Sequence, residues 1–299
     1  MTQKNIDSII AAMKEAIKKR GSTRIANAPP DLFDPNKPRL GRRESEPHSR
    51  EVTYMYDVLS QNFPESRALW DLHHYFIGNK GAIKGKKIDI QFDVSFFKDF
   101  KIPYTLSSYD AQEFNGRIPD MAINVLSKST WKTDLSENVD ICKDLEIPVY
   151  IVFSPYKVTS KIYHPPFLRA YILKDDGLYQ QKELRTITLE EGGNINEENI
   201  IDVSDILPFR IGLMQLKQKH KGDLPLYRLV FIHPSELKIL PSSEDKLREA
   251  EEKAQKAEVK AKEAEEKAQK AEMKAKEAEE KIRELEKLIE KYRKSEKID

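Results

Sequence analysis

The C-terminal segment from Ser243 onward repeats one heptad pattern, and it limits what the rest of the chain can form. The fourteen residues that begin at Ala250 recur almost unchanged from Ala264. Alanine buries little apolar area, so this segment cannot build a globular core of its own. The folded body therefore falls within about residues 45–240, which is long enough for one α/β domain with a sizeable core.

The repeat predicts a long helix with a continuous seam. Its a and d positions hold Leu247, Ala250, Ala254, Ala257, Ala261, Ala264, Ala268, Ala271, Ala275, Ala278, Ile282, Leu285, Ile289 and Tyr292. Two interpretations fit this pattern: a coiled coil that joins copies of the chain, or a solvated single helix that pairs only at its apolar end. We favour the first, and expect a homo-oligomer that forms through the C-terminal helix.

The N-terminal part predicts a short amphipathic helix over residues 5–20, followed by a proline-rich linker over residues 22–47. The helix is expected to dock on the body or on a partner. The predicted domain plan is therefore 1–47 for the helix and linker, 48–242 for the folded domain, and 243–299 for the heptad-repeat helix.

Charge and composition exclude several classes. The net charge of +1 provides no overall attraction to nucleic acid or membrane, so such binding would need a local patch. A single cysteine, Cys142, rules out an internal disulfide framework and fits a reducing compartment. Signal-peptide features and an apolar run of about 20 residues are both lacking, which predicts a cytoplasmic protein without a membrane partner. Phosphate-binding glycine loops, zinc spacings and nucleophile elbows are not found either.

The folded domain contains three strand patterns that organise the fold. Residues 119–126 form an apolar strand with the polar Asn124 at its middle, and residues 148–153 form a strand buried on both faces. A predicted helix over residues 134–145 lies between them, so the two strands should be parallel neighbours in a crossover unit. A third strand over residues 88–97 carries Asp93 among apolar side chains.

The remaining elements complete an α/β fold. Residues 48–62 predict a helix, and residues 64–72 predict a second helical stretch. Residues 168–185 predict a hairpin, and residues 226–232 predict the last strand. His73 and His74 point in different directions in either type of element, which makes them a poor metal pair.

The order of these parts resembles a known family. Its matching segments are Pro47-His48, Phe92-Asp93-Val94, the run from Gly116 to Thr130, the run from Asp134 to Asn138, and the run from Ile147 to Pro155. Together they resemble the restriction endonuclease family of the Uma-two type, in the PD-(D/E)XK superfamily. This resemblance implies a restriction-endonuclease-like mixed sheet flanked by helices, with Mg²⁺ or Mn²⁺ at one end of two adjacent strands.

The resemblance also implies the site. The family's first-strand Asp falls at Asp93, its Glu falls at Asn124, and its Lys falls at Asn138. Asp93 and Asn124 would then be the metal ligands, and all three would be the catalytic positions. Secondary candidates are Glu137, Lys128 and Asp120, although Asp120 lies about 13 Å along the strand from the metal position.

The two asparagines predict weakened chemistry. Asn124 offers an oxygen without charge, so Mg²⁺ would bind weakly, and Asn138 offers no cation. Loss of one electrostatic stabiliser costs on the order of 10²–10³ in rate. We therefore expect metal-dependent hydrolysis of DNA that is impaired. The alternative is a pseudoenzyme: a catalytically inactive nuclease-fold module that binds nucleic acid or assembles through its coiled-coil tail, with Asp93, Asn124 and Asn138 in a neutral hydrogen-bonded cluster.

Overall fold

The computed structural model describes residues 45–128, 130–158, 163–218 and 220–295, with side chains through residue 289. The helix predicted at 5–20 and the linker at 22–47 lie outside this range. The chain divides into two compact units, and the division falls between Ser242 and Ser243. The separation of residues 1–47 from the folded domain stays a prediction.

The first unit contains helix α1 (Glu46–Asn62) and a seven-stranded mixed sheet in the order β3-β1-β2-β4-β5-β6-β7. The strands of this sheet are β1 (Arg67–Ile77), β2 (Lys87–Phe97), β3 (Tyr109–Asp110), β4 (Met121–Val125), β5 (Val149–Ser154), β6 (Phe167–Leu173) and β7 (Tyr179–Leu184). A second sheet has the order β10-β9-β8, formed by β8 (Leu189–Glu190), β9 (Arg210–Gln215) and β10 (Tyr227–Ile232). This architecture is a mixed sheet flanked by helices, which is the α/β arrangement that the resemblance implied.

The predicted crossover unit is confirmed at the centre of the large sheet. β4 and β5 run parallel, with Asn124 paired to Val152. The connection between them contains two short helices, α2 (Trp131–Asp134) and α3 (Glu137–Asp144). The helix predicted to run unbroken from Asp134 is therefore interrupted after that residue. The other neighbour of β4 is the antiparallel strand β2.

The sheet separates two apolar cores. On one side, α1 and strands β9 and β10 pack against the sheet, with Met55, Phe96 and Phe231 fully buried. On the other side, α3 packs against the sheet through Cys142 and Leu145. This layering places β2 and β4 between α1 on one side of the sheet and α3 on the other.

The helix predicted at residues 64–72 is wrong, because this stretch begins the long strand β1. Its antiparallel pairing with β2 extends from Arg67–Phe97 to Ile77–Lys87. Asp71 has a positive φ of 52° and is unpaired in this ladder. The regular alternation of apolar and polar residues that marks a strand is therefore interrupted at Asp71. His73 and His74 point apart as predicted: His73 contacts Asp89 at the surface, whereas His74 is buried.

The second unit is one helix, α4 (Ser243–Ser295). All of its side chains that the structure describes are exposed, including Ile282 and Leu285, except Asp245, which is half-buried. Among the described residues, no helix is both long enough and apolar enough to cross a membrane.

Candidate functional site

Asp93 and Asn124 lie beside each other on adjacent strands. The pair Val94–Ile123 fixes the antiparallel register of β2 and β4, and Asp93 and Asn124 are the next residues in that register. The backbone N–H of Val125 donates to Oδ2 of Asp93 at 2.6 Å. Asp93, at the middle of β2, and Asn124, near the end of β4, therefore lie where the ladder between these neighbouring strands stops.

Helix α1 contributes His48, which contacts Asp93. Its Nε2 lies 3.3 Å from Oδ2 of Asp93, and the imidazole is buried. The Asp93 oxygen thus faces two nitrogens, one from the backbone of β4 and one from α1. A protonated His48 would form a charge-assisted interaction with the carboxylate, and either protonation state restricts the orientation of Asp93.

Asp134 holds the two asparagines. Nδ2 of Asn124 donates to Oδ1 of Asp134 at 2.8 Å, and Nδ2 of Asn138 donates to the same oxygen at 3.1 Å. All three residues are buried. The two positions where the family resemblance places Glu and Lys are therefore joined through one carboxylate oxygen.

Burial raises the pKa of Asp134 to about 6. Hydrogen bonds from Asn124, Thr130 and Asn138 oppose this shift by stabilising the carboxylate. The negative charge of Asp93 adds to the shift. Asn124 links the two carboxyl groups, because it donates to Asp134 and follows Ile123 opposite Asp93 in the register of β2 and β4. We call the five residues His48, Asp93, Asn124, Asp134 and Asn138 the polar cluster.

The floor of the polar cluster is apolar and closed. Tyr150 donates its hydroxyl to the backbone oxygen of Asp134 at 3.0 Å, and Cys142 is fully buried nearby. Burial raises the pKa of both the Tyr150 hydroxyl and the Cys142 thiol well above their usual values, and the Asp134 charge raises them further. Both groups are therefore neutral at physiological pH and supply neither a nucleophile nor a base.

The secondary candidates lie elsewhere. Asp120 accepts hydrogen bonds from the Lys98 backbone N–H at 2.8 Å and from Arg117 Nη2 at 2.6 Å, so it stabilises the start of β4. Glu137 and Lys128 are exposed, and no described contact joins either of them to the polar cluster. These three residues have no direct part in the site as the structure shows it.

Two members of the polar cluster were not predicted as site residues. The sequence predicts Asp134 as the first residue of the helix over residues 134–145, but Asp134 ends the short helix α2 and its carboxyl group accepts a hydrogen bond from Asn124 of β4. The sequence did contain one indication that Asp134 belongs to the site. Asp134 follows a central parallel strand, and functional sites in such sheets lie at the carboxyl ends of the strands. His48 was noted only as part of a Pro-His pair, because 45 residues of sequence separate it from Asp93.

The donors of the polar cluster fit a weakly held divalent cation. Oδ1 of Asn124 is buried and has no hydrogen-bond partner among the described residues, so it is an uncommitted oxygen. Asp93 is the most exposed of the four carboxyl and amide side chains in the polar cluster, with 16% of its side chain accessible. One carboxylate and one amide oxygen suit Mg²⁺ with several waters retained. Among the described residues, no group of three or more His, Cys, Asp or Glu side chains has metal-binding geometry.

Comparisons with known proteins relate the chain to one family. The sequence model of the Uma2 family, described as "Putative restriction endonuclease", matches residues 43–199, slightly more than half of the chain. Among solved structures, the chain is similar to a "putative nuclease belonging to DUF820" from Anabaena variabilis ATCC 29413, at 15% identity and a TM-score of 0.36. That similarity covers 49% of this chain and 71% of the other. A comparison with curated protein sequences gives no significant match.

Proposed function

Because the chain belongs to the Uma2 family, we propose that residues 48–242 form a nuclease-like domain that acts on DNA with greatly weakened phosphodiester hydrolysis. One observation carries this proposal. Asn124 and Asn138 both direct their amide N–H groups to Oδ1 of Asp134. The family resemblance assigns position 124 to metal binding and position 138 to charge stabilisation. In this chain, both side chains instead donate to the same buried carboxylate.

A divalent cation, when bound, would lower the pKa of a water and stabilise the charge that develops on the phosphate. Asp93 would hold it through its carboxylate, and Asn124 through the uncommitted Oδ1. The backbone N–H of Val125 and the imidazole of His48 keep the Asp93 carboxylate oriented. Asn124 adds no negative charge, which weakens the cation's affinity relative to a second carboxylate.

Asn138 explains the second loss. A lysine would supply positive charge for the transition state, but an amide at this position only donates to Asp134. Each missing electrostatic stabiliser lowers the rate by on the order of 10²–10³. Since losses within one site are not additive, the combined effect is smaller than their product, but a slow reaction remains the expectation.

Plasmid cleavage with Mn²⁺ tests this proposal. We expect slow conversion of supercoiled plasmid by the unaltered chain, and loss of that conversion in Asp93→Ala. Asp89→Ala is the matched control, because Asp89 lies on the same strand but pairs with His73 at the surface. Equal cleavage by both variants would contradict the role of Asp93.

The second candidate function is a nuclease-fold module without catalysis. The mutual hydrogen bonding of Asn124, Asp134 and Asn138 favours it, because a satisfied buried network stabilises the fold without any metal. Absence of cleavage, together with DNA binding that weakens steeply with salt, would support this candidate. Failure to bind DNA at low salt would leave assembly as the function of the domain.

We also propose that α4 joins copies of the chain. Its apolar a and d residues near the C-terminal end, Ile282, Leu285 and Ile289, are more than half exposed in the single chain. Burial of such side chains against another helix is favourable. Sedimentation equilibrium of the full chain and of a chain ending at Ser242 tests this directly; an equal association state for both would contradict it.

A further inference from the structure

The charged residues beside the seam of α4 are segregated by sign. Each e position, which follows a d position, is Glu: Glu251, Glu258, Glu265, Glu272, Glu279 and Glu286. Each g position, which precedes an a position, is Lys: Lys246, Lys253, Lys260, Lys267, Lys274 and Lys281. The pattern holds through six consecutive heptads, and every one of these side chains is exposed in the single chain.

We infer that α4 pairs with a second copy of itself as a parallel, in-register two-stranded coiled coil. In a parallel pair, the g residue of one helix faces the e residue of the following heptad on its partner. Lys246 then faces Glu251 of the second copy, Lys260 faces Glu265, and Lys274 faces Glu279. All six such contacts on each side of the pair are attractive. This inference rests on the proposed self-association of α4 and assigns its geometry.

The same charges exclude the antiparallel alternative. Antiparallel helices bring g residues to g residues and e residues to e residues. Every flanking contact would then join Lys to Lys or Glu to Glu, and like-charge contacts destabilise helix pairs. The orientation is therefore decided by charge, because the alanine seam itself is nearly symmetrical along its length.

The seam residues favour two strands. Alanine at a and d lets the helix axes approach to the short end of the usual 8–10 Å range, which brings the flanking Lys and Glu side chains close together. Near the C-terminal end, Ile282 and Ile289 occupy a positions and Leu285 occupies a d position. β-Branched residues at a with Leu at d are typical of parallel dimers. In the last described heptad, Leu288 replaces Lys at g and widens the apolar contact there.

Paired cysteine variants of the full chain test the orientation. Ala250→Cys and Ile282→Cys place a thiol at a d position and at an a position near opposite ends of α4, about 50 Å apart along the helix. A parallel, in-register pair gives disulfide-linked dimers of each variant alone, and no disulfide between the two variants when they are mixed. The unmodified chain is the control, since its Cys142 is fully buried.

A matched charge reversal tests what drives the pairing. The triple variant E251K/E265K/E279K places Lys at e positions, where it faces the g-position Lys of the second copy. The variant E252K/E266K/E280K makes the same charge change at the adjacent f positions, which face outward. At low salt we expect the e variant to raise the dimer dissociation constant on the order of 100-fold. The f variant should raise it only about threefold or less. Circular dichroism of both variants checks that the helix persists.

A complementary chain provides rescue. K246E/K260E/K274E should pair with E251K/E265K/E279K, because each reversed Lys then faces a reversed Glu. Sedimentation of the mixture is expected to give twice the chain mass of 34.7 kDa. A disulfide only between Ala250→Cys and Ile282→Cys, a d and an a position, would overturn the parallel orientation but leave self-association intact. An unmodified chain that stays monomeric at low salt would overturn both.

Discussion

Asn124 donates a hydrogen bond of 2.8 Å to Asp134, and both side chains are buried. Replacing Asp134 with Ala would leave the amides of Asn124 and Asn138 without an acceptor. Because an unsatisfied buried polar group costs about 1–3 kcal/mol, we expect the free energy of unfolding to fall by about 2–4 kcal/mol. Urea denaturation measures this change.

Two comparisons sharpen the Asp134 prediction. Asp134→Asn keeps an acceptor oxygen and should lose about 1 kcal/mol or less. Asp140→Ala removes an exposed carboxylate from α3 and should change stability by less than about 0.5 kcal/mol. Equal losses in Asp134→Ala and Asp140→Ala would contradict the central position of Asp134 in the polar cluster.

A glutamate at position 124 should destabilise the fold unless a lysine at position 138 accompanies it. Asn124→Glu places a third carboxylate beside Asp134 and Asp93, so we expect a loss of about 2–4 kcal/mol. Adding Asn138→Lys supplies the missing cation at the opposite side of Asp134 and should recover at least half of that loss. A double-mutant cycle of unfolding free energies measures the coupling, and additive losses would show that positions 124 and 138 do not interact.

His48 should act on Asp93 rather than on substrate. In a background that carries N124E/N138K, His48→Ala is expected to raise the Mn²⁺ concentration for half-maximal cleavage about 10–100-fold, because residues that orient a metal ligand have effects of this size. His73→Ala is the control, since His73 and Asp89 form a similar pair that is half exposed. An unchanged Mn²⁺ requirement in His48→Ala would contradict its orienting role.

Glu51 should make stability depend on pH. Burial raises the pKa of Glu51 to about 7, against the opposing charge and hydrogen bonds of Arg228. The folded state therefore holds this proton more tightly than the unfolded chain, which stabilises the fold below about pH 4.5. That contribution, on the order of 3 kcal/mol, is lost as the pH rises toward 7.

Glu51→Gln removes this titration and should make the unfolding free energy fall less steeply between pH 4.5 and 7, where the raised pKa of Asp134 still contributes. Glu46→Gln changes an exposed acid in the first turn of the same helix and should leave the pH profile as it is in the unaltered chain. Parallel profiles for the unaltered chain and Glu51→Gln would contradict the pKa assignment.

The sequence was sufficient for the elements with strong local patterns. β2, β4 and β5 follow from apolar alternation or continuous apolar runs, and the hairpin of β6 and β7 follows from the turn residues Asp175-Asp176-Gly177. The structure confirms all of these elements. The first half of β1 was misassigned because Leu69 and Leu72 have helical spacing. The positive φ of Asp71 shifts the strand's alternation, and only pairing with β2 determines its structure.

The site was predictable only in part, because some of its contacts depend on tertiary packing and not on a local sequence pattern. Asp93 and Asn124 lie on strands whose pairing follows from the fold, so their proximity could be expected. Asp134 belongs to the motif run that carried the resemblance, but its carboxyl direction depends on where α2 ends. His48 reaches Asp93 through packing of α1 on the sheet, which no local pattern encodes.

The cleavage rate of N124E/N138K tests the central claim most directly. In single-turnover assays on plasmid DNA with Mn²⁺, we predict a rate at least about 10²-fold above that of the unaltered chain, because one or both electrostatic stabilisers are restored. Adding Asp93→Ala to this variant should abolish the gain. A folded N124E/N138K variant that cleaves no faster than the unaltered chain, or whose cleavage survives Asp93→Ala, would contradict the account.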